Sequence, residues 1–202
     1  MTVLKIILFA IVFMAIQPSA KTILFFGDSL TAGFGLSSTD KAFPAQFEKE
    51  LIKAGKKVKV INSGLSGETS AGGLSRIDWV LRQPIDVFVL ELGANDGLRG
   101  LPLDQTKKNL QSIIDKVKAK YPKAKIVLAG MMVPPNMGKT YSDGFKKVYP
   151  ELAAKNKCKL IPFLLEGVGG DEKLNQPDGI HPNDEGHRII GKNLAKFFEQ
   201  II

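Results

Sequence analysis

The chain has 202 residues, with 28 Lys+Arg against 20 Asp+Glu, a net charge of +8 and one cysteine. That length suits a single domain with a full core; Cys158 has no partner within the chain, so a disulfide framework is excluded; and a 44% hydrophobic fraction with scattered Gly and Pro excludes a disordered chain. The positive surplus leaves an anionic partner, nucleic acid or lipid, to be weighed against the motifs.

Residues 1–20 hold one charge, Lys5, then an unbroken apolar run Ile6–Ile16, then Pro18-Ser19-Ala20. A basic start, a short apolar stretch and a small-residue end is the order of a secretory signal. The run is too short to span a bilayer, which takes roughly 20 helical residues. A signal cleaved after Ser19 or Ala20 is expected, with one domain over 21–202, exported to a periplasm or secreted. An uncleaved anchor is the alternative.

Short β-rich runs then alternate with amphipathic stretches. Thr22–Phe26 reads as a strand ending in Gly27, and Phe43–Ala54 as a helix with Phe43, Phe47, Leu51 and Ala54 on one face. Val58–Ile61 is a second strand, and Ser70–Gln83 a helical stretch closed by Pro84. Val87–Leu92 is the third strand. Asp104–Tyr121 reads as a long helix with Asp104 as N-cap and Pro122 as stop. Ile126–Ala129 and Leu160–Phe163 are strands four and five; Tyr141–Asn156 and Asn183–Phe198 are the remaining helices. Regular βαβ alternation predicts an α/β fold, a three-layer α/β/α sandwich on a five-stranded parallel sheet, flavodoxin-like.

In such sheets ligands bind outside the carboxyl ends of the strands. Chemically capable residues fall there: Asp28-Ser29 after strand one, Ser66-Gly67-Glu68 after strand two, Asn95-Asp96 after strand three, and Asp178 to His181 before the last helix. Acyl transfer to water needs an activated nucleophile, a base, an orienter for the base and oxyanion donors. Ser29 sits at a strand-to-helix turn, where it is either a nucleophile or a plain N-cap. Asp178 stands three residues before His181, so one loop presents both; the carboxylate would fix the imidazole tautomer and leave the other nitrogen to take the serine proton. The Ser29 and Gly67 backbone N–H groups and the Asn95 side-chain amide are the candidate oxyanion donors. His187, in the last helix, reads as a packing histidine. Asp178, His181, Asp184, Glu185 and His187 crowd into ten residues but lack metal-ligand spacing, so no metal and no cofactor is expected. Gly138-Lys139-Thr140 resembles the end of a phosphate loop, but Val133 stands where the loop needs glycine.

These residues resemble the SGNH hydrolase superfamily, also called the GDSL family. Its four blocks occur in order: FFGDSLTAGFG with Ser29, SGETS with Gly67, GANDG with Asn95, and DGIHPNDEGH with Asp178 and His181. The run GANDGLRGLPL and the YPEL segment are most similar to small bacterial periplasmic thioesterase, lysophospholipase and arylesterase enzymes. That resemblance implies a serine hydrolase of acyl esters and thioesters acting through an acyl-enzyme on Ser29, and a loop over about 97–102 that closes on the acyl chain. A carbohydrate acetylesterase of the same superfamily and a non-catalytic lipid-binding protein are the alternatives.

Every methionine outside the signal lies between residues 131 and 137. Met adapts to chains of varied shape, so Met131, Met132 and Pro134 are expected to line an acyl groove, with Leu98 and Leu101 as the opposing wall. The lysines are spread over helix faces without interleaved aromatics, which argues against nucleic acid. The expected partner is a small acyl ester or thioester, met by a monomer, with weak contact to anionic lipid surfaces as the remaining reading of the charge.

Overall fold

The computed structural model describes residues 19–202; all but the last two residues of the expected export signal lie outside the described residues. Strands β1 (Lys21–Gly27), β2 (Val58–Gly64), β3 (Val87–Glu91), β4 (Lys125–Ala129) and β5 (Lys159–Ile161) form one parallel sheet in the order β2-β1-β3-β4-β5. Between and after them run α1 (Ser29–Ala32), α2 (Phe43–Lys53), α3 (Ser70–Val80), α4 (Ala94–Leu98), α5 (Leu103–Lys120), α6 (Lys139–Asn156) and α7 (Asp184–Phe198). The result is a three-layer α/β/α sandwich.

Alternation along β1 shows how the layers are held. Phe25 points to one face, where its ring meets Phe43 at 5.5 Å and Phe47 at 5.3 Å, and Phe47 in turn meets Phe198 of α7 at 4.8 Å. Its neighbour Phe26 points to the other face, where the Arg76 guanidinium of α3 lies 4.2 Å from the ring centroid. A strand covered on both faces reads as a nearly continuous apolar run, as β3 does: all five of its residues are buried, and only the last, Glu91, is polar. The aromatic seam between β1, α2 and α7 is fully buried; truncating a phenylalanine there would cost about 3–5 kcal/mol. Gly73 lets α3 lie close to the sheet, since a Cβ at that position would stand 2.3 Å from Leu92 Cδ1.

Several boundaries differ from the periodicity. β5 stops at Ile161, short of the expected Phe163, because Pro162 has no N–H to continue a ladder. Asp104 lies within the first turn of α5 and does not cap it; Pro102 occupies that place. The short helix α4, hidden in GANDG, gives no hydrophobic period to read.

Strand order places the crevice. The chain leaves β1 for β2 on one side of it, and β3 pairs on its other side. The loops after β1 and β3 therefore diverge at a topological switch point, where open α/β sheets bind ligands.

Candidate active site

The turn after β1 is set by Asp28. Its Oδ1 accepts the Leu30 N–H at 3.0 Å and caps α1, so the next residue, Ser29, stands at the carboxyl edge of the sheet. The segment before α7 brings the second part. His181 Nε2 lies 2.9 Å from Ser29 Oγ, and His181 Nδ1 lies 2.7 Å from Asp178 Oδ2. The other carboxylate oxygen of Asp178 accepts the backbone N–H groups of Ile180 and His181, each at 3.0 Å. Partial burial works to raise the Asp178 carboxyl; the hydrogen bonds from the His181 ring and from the two backbone N–H groups outweigh it and leave the group below its ordinary value. The aspartate thus stays ionised over the range in which an imidazole can act as a base. Residues 152 positions apart in the chain form one hydrogen-bonded line, Asp178–His181–Ser29.

Two further loops close on it. The Asn95 side-chain N–H₂ donates to Glu68 O at 3.1 Å and to Asp28 Oδ2 at 3.3 Å, tying the loop after β3 to those after β1 and β2. Gly67 has φ +78°, a left-handed conformation natural to glycine, and Arg99 Nη2 donates to its carbonyl at 3.0 Å. The next residue, Glu68, is held by Arg76 through Nε at 2.6 Å and Nη2 at 2.5 Å. Arg76 also donates to Ser63 O at 2.9 Å, at the end of β2. Asp96, buried beneath, accepts the N–H and hydroxyl of Ser70 at 2.7 and 2.5 Å and the Thr106 hydroxyl at 3.2 Å, so it fixes the loop carrying Asn95 against α3 and α5.

Two carboxyls are buried under the serine. Burial, opposed by the Leu30 N–H, by the His181 charge and by the Asn95 amide, raises Asp28 to about 6. Burial and the neighbouring Asp28 charge push Glu91 well above its ordinary value, although its Oε2 accepts the Thr31 hydroxyl at 2.7 Å and the Asp28 N–H at 3.2 Å. Partial burial also pushes the Cys158 thiol up, so that group is no reactive thiolate.

The Ser29–His181 pair opens into a cleft of about 390 Å³. Leu98, Met131, Met132 and Pro134 line it, together with Phe163, Leu165 and Ile180, which the sequence did not single out. Leu101, expected on the wall with Leu98, lies outside it. Gly100, at φ +63°, turns the chain, and the Leu101 N–H folds back onto Asp96 O at 3.0 Å while its carbonyl accepts the Tyr141 hydroxyl at 2.8 Å. The Phe34 ring stands 4.7 Å from that of His181 at the rim.

The acidic cluster around His181 disperses. Asp184 pairs with Lys41 and Glu185 with Arg188. His187 is buried against Phe43 and accepts that residue's N–H through Nδ1 at 3.1 Å. Among the described residues no group of three His, Cys, Asp or Glu side chains could hold a metal ion. The signal for Arg99 is absent from local sequence, because it acts on the Gly67 carbonyl 32 residues away, while Arg76 pairs with the Glu68 carboxylate eight residues before it, a pairing no motif marks.

Comparison with known proteins bears out the fold and gives the family. The model of the GDSL-like lipase/acylhydrolase family matches residues 25–189. The chain is 43% identical over 174 residues to the esterase TesA of Pseudomonas aeruginosa, covering 86% of this chain and 85% of that protein. It is 38% identical over 185 residues to thioesterase 1/protease 1/lysophospholipase L1 of Escherichia coli strain K12, covering 91% and 86%. The crystal structure of a TesA superposes with a TM-score of 0.84 at 39% identity, covering 90% of this chain and all of that one.

Proposed function

The chain belongs to the GDSL-like lipase/acylhydrolase family, a hydrolase of carboxylic esters and thioesters, and on that premise we propose that Ser29 is its nucleophile. The observation that carries the proposal is the line Asp178–His181–Ser29 at the mouth of an apolar cleft. Neutral His181 takes the Ser29 proton through Nε2 as Oγ attacks the acyl carbonyl. Asp178 holds the Nδ1 proton and stabilises the imidazolium that forms. The developing oxyanion is met by the backbone N–H groups of Ser29 and Gly67 and by the Asn95 amide. That amide is held in place by Glu68 O and turns its weaker bond, the one to Asp28, toward the substrate. His181 then protonates the leaving alcohol or thiol, and water repeats the sequence to release the acid.

The apolar lining favours acyl chains over sugars as the group that enters the cleft, which supports arylesters, acyl thioesters and lysophospholipids and weighs against a carbohydrate acetylesterase. The chain acts as a monomer, exported under a cleaved signal over residues 1–20; amino-terminal sequencing of the exported protein and its sedimentation check both points. A fluorophosphonate should label Ser29 stoichiometrically, and Ser29→Ala should lose both the label and the turnover of p-nitrophenyl esters. Hydrolysis persisting in Ser29→Ala would overturn the assignment. Labelling elsewhere in the chain would do the same.

A further inference from the structure

The other edge of the sheet carries no part of this machinery and is rich in lysine, with Asp78, paired with Lys116, and Asp86, bonded to the Thr22 N–H, among its acids. In a parallel sheet with helical crossovers, the helix carboxyl ends collect where the strands begin. Three of the five strands open on lysine, Lys21, Lys125 and Lys159, and β2 is preceded by Lys56-Lys57. Helices α2 and α5 end in Lys53 and Lys120. Cations suit helix carboxyl ends, so some lysine is ordinary here. Ordinary surface lysines also meet carboxylates, as Lys41, Lys107 and Lys139 do elsewhere on this molecule. Among the described residues no ion pair engages Lys21, Lys123, Lys125, Lys157 or Lys159. A groove of about 490 Å³ at the ends of β4 and β5 is bordered by Lys118, Lys125, Lys157 and Lys159. Two of these reach only neutral acceptors, Lys118 the Asn156 carbonyl and amide and Lys125 the Ile201 carbonyl.

Two exposed apolar side chains accompany the charge. Ile52 and Trp79 stand in the last turns of α2 and α3 and are 56% and 65% exposed. Lysine ammonium groups beside an exposed tryptophan and isoleucine are the chemistry of a surface that meets anionic lipid. Nucleic acid would need interleaved aromatics to stack bases, and Trp79 is the only tryptophan.

We propose that this amino edge docks on anionic phospholipid bilayers and holds the catalytic mouth away from the membrane, toward solution. The attraction acts within a Debye length, about 10 Å at 0.1 M salt, so the groove lysines and Trp79 make the contact while the cleft, at the opposite edge, stays open to water-borne esters. The inference does not depend on which residues perform hydrolysis.

Trp79 reports on this edge alone. With the exported protein, processed at its amino terminus, and vesicles of phosphatidylglycerol and phosphatidylcholine, Trp79 emission should shift to the blue and the protein should co-sediment, both reversed by 0.5 M salt. Changing Lys118, Lys125, Lys157 and Lys159 together to glutamate should weaken that binding at least tenfold and leave kcat/KM for p-nitrophenyl acetate within twofold, which also shows that the variant folds. Changing Lys139 and Lys173 to glutamate, away from this edge, should alter binding less than twofold. Equal binding to pure phosphatidylcholine, binding without a Trp79 shift, an equal loss in the Lys139/Lys173 variant, or retention of duplex DNA with no retention of vesicles would each overturn the proposal.

Discussion

The two edges of one sheet differ in every respect that matters for function. At the carboxyl edge every carboxylate of the site is bonded and all but Asp178 are buried: Asp28 under the serine, Glu68 gripped by Arg76 and Asp96 beneath Asn95, with Asp178 exposed but held by His181. At the amino edge lysines are exposed and largely without carboxylate partners. The helix dipoles favour this division, since helix amino ends attract anions and carboxyl ends cations. Burial separates the edges further. A buried charge must be held in one geometry to be tolerated at all, so the carboxyl edge is rigid and specific. An exposed lysine is hydrated and free to reorient, so the amino edge suits a diffuse, salt-sensitive partner.

The largest test of this contrast is Asp178→Asn. It keeps the shape of the site but removes the charge that orients His181, and kcat should fall by about 10^4-fold, measured on an aryl ester; a loss below tenfold would detach the aspartate from the machinery. Asn95→Ala removes one oxyanion donor and should lower kcat by about 10^2 to 10^3-fold with little change in KM. A change confined to KM would instead make Asn95 a binding group.

Acid pH separates the buried groups. Burial, opposed by Asp184 and assisted by His181, lowers His187 to about 4, below the roughly 6.5 of an unfolded chain. Its contribution is complete above that upper value and is lost as pH falls toward 4, a matter of about 2–3 kcal/mol. Asp28, raised to about 6 by burial first, runs the opposite way: its contribution is present in acid and lost as pH rises from about 4 to 6. In the wild type Asp28, together with Glu91, which burial and the Asp28 charge also raise, opposes the His187 trend. Asp28→Asn should unmask the His187 trend, and thermal melts between pH 4 and 6.5 should show a steeper slope than the wild type; an unchanged slope would remove Asp28 from the balance.

A smaller effect is expected at the cleft wall. Met132→Glu places a charge beside the acyl chain and should reduce turnover of decanoyl esters about tenfold more than that of acetyl esters. Equal losses would mean that Met132 fills space without sorting chain length. The smallest effect belongs to the amino edge, where charge reversal of the groove lysines should leave hydrolysis of soluble esters unchanged.

Much of the carboxyl edge was legible because motif and topology coincide there. Ser29, Gly67, Asn95, Asp178 and His181 each follow a strand or precede a helix amino end, and a parallel sheet brings such positions to one edge. His187 was separable from His181 by its place in a helical period, and it is buried against Phe43. Leu101 was misplaced because a loop turned by Gly100 has no period from which a side chain's direction can be read. Arg76 and Arg99 were invisible for a related reason. Arg99 binds a carbonyl, and every residue has one, while Arg76 grips Glu68 across a turn that no period fixes, so nothing in the sequence marks either partner.

By itself the sequence determined the order of strands and helices, the parallel sheet and the loops that hold the chemistry, because hydrophobic period and strand-end position are local properties. Only the tertiary structure decided that His181 reaches Ser29 at 2.9 Å, that Phe163, Leu165 and Ile180 complete the cleft, and that Asp28 and Glu91 are buried together beneath the site. Those facts depend on which distant side chains share a volume, and on how far each lies from water. It likewise gave part of a bare charge of +8 a direction, because the fold, and not the composition, gathers Lys118, Lys125, Lys157 and Lys159 at the edge opposite the cleft.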